Sequence, residues 1–127
     1  MEVAVPPRNY PEWRVGEFDR LEDAAYLFGY YLMLHCRQEA LATLPPTASA
    51  DTSAAVKEAV DVALHNACDM LEGLWRLNAG PDHKISLALS VRVHDAQNQV
   101  VESQEISPAK LDLPIGYWKW ARERKFG

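Results

Sequence analysis

Only two cysteines, Cys36 and Cys68, occur in the 127 residues, and neither belongs to a CxxC pair or to a zinc-finger histidine spacing. No disulfide framework and no structural zinc site are therefore expected. Both fall within helical patterns, where a thiol usually serves as a small apolar core side chain. Set on an antiparallel helix pair they stand roughly eight residues out of register, about 12 Å, beyond disulfide reach. Glycine is equally sparse, with six residues scattered along the chain. That leaves no material for a phosphate-cradling loop, and no nucleophile elbow, HExxH, EF-hand loop or kinase signature is present. The sequence thus offers no enzyme motif, and no metal or cofactor is expected.

Long hydrophobic runs are missing as well. The longest uncharged stretch near a helix, residues 24–36, has 13 residues, too few to cross a bilayer. The opening MEVAVPPRNYPEW carries neither a basic nor an apolar leader segment, so a cytoplasmic location is expected. Positive charge is also in deficit, at a net −5. A general nucleic-acid role is disfavoured, because lysine and arginine carry phosphate binding. The balance is uneven: residues 1–112 hold 9 basic and 17 acidic side chains, a net −8, whereas residues 113–127 hold 4 basic and 1 acidic, a net +3.

What is there is ordinary globular material, 48% hydrophobic and 24% charged, enough for one core. Residues 1–16 contain Pro6, Pro7, Pro11 and Gly16 and read as an extended arm, with Tyr10 and Trp13 as docking groups. The rest, 17–127, reads as a single α+β domain. Residues 17–44 predict a helix whose stripe runs through Leu21, Ala24, Phe28, Leu32 and His35. Its centre, AAYLFGYYLML, is apolar nearly all round and must be covered on more than one side. Pro45 and Pro46 stop it, and Asp51, Thr52 or Ser53 is the expected cap of a second helix running to about Asn78, closed by Gly80 and Pro81.

The second helix has an apolar face of Val56, Val60, Leu64, Ala67, Leu71, Leu74 and Trp75. Glu58, Asp61, His65, Asp69, Glu72 and Arg76 lie opposite, and are expected to form an acidic, solvated face. Residues 84–94 alternate as a strand, 95–98 make a turn, and 99–106 return, predicting a β-hairpin packed by the helix hairpin. Two strands are marginal alone. Pairing of a hairpin edge with a second copy, giving a homodimer, is a natural remedy. Pro114 then opens a short C-terminal helix in which Tyr117, Trp118 and Trp120 interleave with Lys119, Arg122, Arg124 and Lys125.

Three constellations invite chemistry. His35 and Glu39, one turn apart on the inward stripe, have the spacing of an oriented general base; the plainer reading is a local hydrogen bond. His65 and Asp69 share that spacing but belong to the expected solvated face, where only weak surface metal binding could arise. His83 and His94 bracket the first strand and receive no role.

The aromatic and basic C-terminal segment could anchor a protein partner, stack on single-stranded bases, or pack onto the core. The leading expectation is a non-enzymatic protein-binding domain of inhibitor, immunity or adaptor type. It would act through the acidic face (Glu58, Asp61, Asp69, Glu72) and through Trp118, Lys119, Trp120, Arg122 and Arg124. One alternative is a small enzyme or ligand-binding domain with a pocket around His35 and Glu39, lined by Tyr30, Tyr31 and Trp75. Another is weak nucleic-acid binding through residues 117–125.

Overall fold

A computed structural model of the chain describes residues 6–75, 77–108, 116–117 and 120–121. It mixes helices with two small antiparallel hairpins, an α+β arrangement. Residues 6–16 are extended apart from one 3-10 turn, Tyr10–Glu12, whose Pro11 supplies the fixed φ of a helical first turn. Beyond it Trp13 is buried at 5% exposure. Arg20 lies 5.5 Å from the ring centres of both Tyr10 and Trp13. Its guanidinium forks onto Glu102, which also accepts from the Tyr10 hydroxyl at 2.7 Å and the Gln104 amide at 2.7 Å. The arm, the first helix and a strand are thus joined at one carboxylate.

The first helix, α1 (Glu17–Tyr31), carries Glu17 and Asp19 in its first turn, where the helix dipole favours acids. Asp23 is buried and accepts from Arg8 Nη1 at 2.9 Å and from the Arg14 main chain at 2.9 Å. Burial alone would raise this carboxyl, but the Arg14 hydrogen bonds and the nearby positive charge hold it below its ordinary value. α1 does not simply continue as expected. Residues Leu32–Gln38 form a π-helical stretch before a last α-helical turn, α2 (Glu39–Leu41). The wider i→i+5 winding shifts the phase of everything that follows. Met33 is buried, whereas His35 and Cys36 turn to solvent.

Ser49, not the residues at 51–53, caps α3 (Ala50–Leu71): its side-chain oxygen accepts from the Thr52 amide at 3.1 Å. α3 ends seven residues before the expected Asn78, because Gly73 adopts φ 77°. The Gly73 amide bonds the Met70 carbonyl at 3.2 Å and the Leu74 amide bonds the Asp69 carbonyl at 3.1 Å. That pair closes a Schellman stop, for which glycine is the preferred residue.

The expected long strand is interrupted. β1 (Leu77–Asn78) pairs with β2 (Lys84–Ile85), and only β3 (Leu89–His94) pairs with β4 (Val100–Ser107). Asp95 Oδ1 accepts from the Gln97 amide at 2.8 Å and the Gln99 amide at 3.0 Å, and Asn98 takes φ 62°, so the 95–98 turn forms as the residue types require. α1 packs chiefly over β4. The core gathers Trp13, Ala24, Ala25, Met33, Cys68, Ile106, Tyr117 and Trp120. Ile106 is fully enclosed, and burial of such a side chain contributes about 1.5–3 kcal/mol.

No helix among the described residues is long and apolar enough to cross a membrane.

Candidate functional site

The phase shift within Leu32–Gln38 has a direct consequence for the polar residues of α3. Arg37 is turned onto α3, where its Nε donates to Asp61 Oδ1 at 2.7 Å and its Nη2 lies 3.4 Å from Oδ2. Both side chains are only 12% exposed. The Tyr117 hydroxyl donates to the same Asp61 oxygen at 2.6 Å. Burial tends to raise the Asp61 carboxyl, but the Arg37 and Tyr117 hydrogen bonds hold it below its ordinary value. Tyr117 is driven the other way, first by burial and then by the adjoining carboxylate, so its hydroxyl stays protonated and donating.

The seam continues down α3. His65 Nδ1 lies 3.5 Å from Asp69 Oδ2, and its ring stands edge-on to Tyr117 with centroids 6.1 Å apart. The second Asp69 oxygen, Oδ1, is buried without a hydrogen-bond partner among the described residues. At the helix end the Ser107 hydroxyl sits 3.1 Å from the Leu71 carbonyl and 2.9 Å from Glu72 Oε1. It thereby serves a carbonyl left open where the helix stops.

These placements correct the sequence reading of α3. Asp61 is buried, His65, Asp69 and Glu72 are half-buried, and only Glu58 of the four acidic candidates stands fully in solvent. The helix is rotated so that a polar line, not the valine-leucine line alone, faces inward. Leu74 and Trp75, assigned to the apolar face, lie past the Gly73 stop and are 65% and 49% exposed. Periodicity could not show this, because the partners that engage Asp61, the Arg37 guanidinium and the Tyr117 hydroxyl, are distant from it in sequence. Charge opposite charge at the core is legible only once the chain is folded.

His35 and Glu39 are also relocated. Their side chains are 58% and 72% exposed, with Nδ1 3.6 Å from Oε1, and the His35 ring stacks on exposed Tyr31 at 5.4 Å. The pair lies on the surface and not on an inward stripe, and at 3.6 Å its two groups stand outside hydrogen-bond distance. Cys36 is exposed, contrary to its expected core role. Cys68 is buried, and desolvation, followed by the charges of Asp69 and Glu72, pushes its thiol up to about 12. Among the described residues no group of three or more histidine, cysteine or acidic side chains is placed to hold a metal ion.

Of the C-terminal candidates, Trp118, Lys119, Arg122 and Arg124 lie outside the described residues. Trp120 is described, and it is a core residue with 5% exposure. Its indole rests on Gly29 of α1, where a Cβ would come within 2.7 Å of ring atoms Cδ2 and Cζ2, and it meets Phe28 edge-on at 6.2 Å. The bare backbone of Gly29 makes the slot, so Trp120 is not available to a partner.

The feature that sequence reasoning missed is the short segment after α3. Leu74, Trp75 and Ile85 are all about half exposed or more, and Ile85 faces Leu77 across the β1–β2 ladder two residues from Trp75. The signal was available in Gly73, a helix stop placed immediately before two large apolar residues. No protein-family model matches the chain, and neither a curated protein nor a solved structure resembles it.

Proposed function

We propose that the chain is a non-enzymatic protein-binding domain whose principal contact surface is the segment after α3, centred on Trp75 with Leu74 and Ile85. The observation that carries this reading is the exposure of these three side chains beside a helix stop. Tryptophan at an exposed apolar site is a typical anchor of protein interfaces. The reading is also supported by the fate of the chemical candidates: Asp61 is engaged by Arg37 and Tyr117 inside the fold, and His35 and Glu39 form an open surface pair.

Glu58 and the aromatic and basic residues Trp118, Lys119, Arg122 and Arg124 remain in the proposal as a second contact region. In this reading the helices form an antiparallel hairpin against the β3–β4 sheet, and an inhibitor or adaptor role follows from binding rather than from chemistry.

The test is co-purification from native lysate with the full chain and with Trp75→Ser and Leu74→Ser variants. A near-stoichiometric partner retained by the parent chain and lost from both variants supports the assignment. Absence of any such partner counts against a binding role, and equal retention by all three moves the surface elsewhere.

A further inference from the structure

The two edges of the β3–β4 hairpin are unlike. Leu89 faces Ser107 while Ser90 faces Glu105, and Val93 faces Glu102 while His94 faces Val100. The two extra residues, Ile106 and Val101, therefore both belong to β4. Bulges of this kind twist a strand and spoil it as a template for further pairing. β3 has no such defect: its six residues alternate without a break between half-buried and exposed. Among the described residues no backbone hydrogen bond outside the hairpin reaches β3.

Two further observations single out this edge. α1 lies over β4 more than over β3, which leaves the inward row Leu89, Val91 and Val93 only partly buried. On the outward face Arg92 and Glu105 are exposed, and neither has an ion-pair or hydrogen-bond partner among the described residues.

We propose that β3 is the pairing edge of a symmetric dimer, in which a second copy of this chain adds its own β3 antiparallel about Val91. The sheet order becomes β4-β3-β3-β4. This register sets Val91 opposite Val91, Leu89 opposite Val93 and Ser90 opposite Arg92. The inward apolar row then runs unbroken across both copies, with the β-branched Val91 pair at its centre giving each row a lateral neighbour.

A two-fold axis at Arg92 would place two guanidinium groups face to face, which is destabilising. About Val91, each Arg92 instead reaches over the small Ser90 of the other copy toward that copy's Glu105. The two side chains start two strand spacings apart, about 10 Å, within their combined length. The contact occurs twice by symmetry. This inference does not depend on the surface around Trp75.

Sedimentation velocity of the full chain over a concentration series tests it, alongside Arg92→Glu and the double variant Arg92→Glu/Glu105→Arg. Arg92 is exposed, so far-UV circular dichroism of the variants should match the parent chain. A concentration-dependent dimer is expected, with a dissociation constant raised about tenfold or more by Arg92→Glu and recovered by the charge swap. A parent chain that stays monomeric, a dimer indifferent to Arg92→Glu, or a swap that restores nothing would overturn the proposal.

Discussion

Replacing Arg37 by alanine separates a buried ion pair from the solvated acidic face that the α3 sequence suggests. An exposed pair would contribute about 0–1 kcal/mol. Here both side chains are 12% exposed, the Nε–Oδ1 distance is 2.7 Å, and the variant would strand Asp61 with Tyr117 as its remaining donor. Breaking a buried pair by removing one partner costs about 3–5 kcal/mol, and the residual exposure places this site near 3. At about 2.1 cal/mol/K of unfolding entropy per residue, 127 residues give roughly 0.27 kcal/mol/K, so the melting temperature should fall by about 11 °C. Urea titration and calorimetry at pH 7 measure both quantities.

The pH dependence supplies an independent arm. Folded Asp61 is held below its ordinary value in the parent chain. Its stabilising contribution is therefore present above the unfolded carboxyl range and lost as pH falls through the folded value. Without Arg37 the buried carboxyl rises, so the deficit of the variant should shrink on acidification toward pH 4. Replacing the whole cluster by apolar residues, Arg37→Met and Asp61→Leu with Tyr117→Phe so that no buried hydroxyl loses its acceptor, should recover most of the loss. A loss under 1 kcal/mol at pH 7, or a deficit that does not change with pH, would refute the buried-pair reasoning.

Three other outcomes follow from the same contacts. Gly29→Ala would be mildly stabilising on an open helix face, but here its methyl meets the Trp120 indole, so a loss of about 1–3 kcal/mol and an altered near-ultraviolet dichroism are expected. A thiol-titrating reagent should modify one cysteine per native chain, Cys36, and two in denaturant, because Cys68 is buried with its thiol pushed up to about 12. Glu102 is held down to about 2, first by its hydrogen bond from Arg20 and then, against the cost of burial, by those from Tyr10 and Gln104. Its contribution should be complete above the unfolded glutamate value of about 4.3 and fade as pH falls toward 2, a slope that Glu102→Gln removes from an acid-unfolding series.

Much of the element order was legible because it rests on local rules. Helix-period spacing located α1 and α3, Pro45 and Pro46 separated them, and the Asp95–Asn98 turn fixed the β3–β4 hairpin. The boundaries moved where a specific backbone state intervened: Gly73 at positive φ stopped α3 early, and Ser49 capped it before the expected residues. The exposed Leu74 and Trp75 follow directly from that early stop.

By itself the sequence determined the composition of the elements and the helix-period and alternating patterns that make the chain an α+β protein, since these depend on neighbours one to four residues apart. Tertiary structure alone decided which polar groups face inward. The winding of residues 32–38 sets Arg37 against Asp61, and residue 117 arrives from far along the chain to complete the cluster. A charge reads as surface in sequence because desolvation is costly; only a partner brought from a distance offsets that cost and lets it sit in the core.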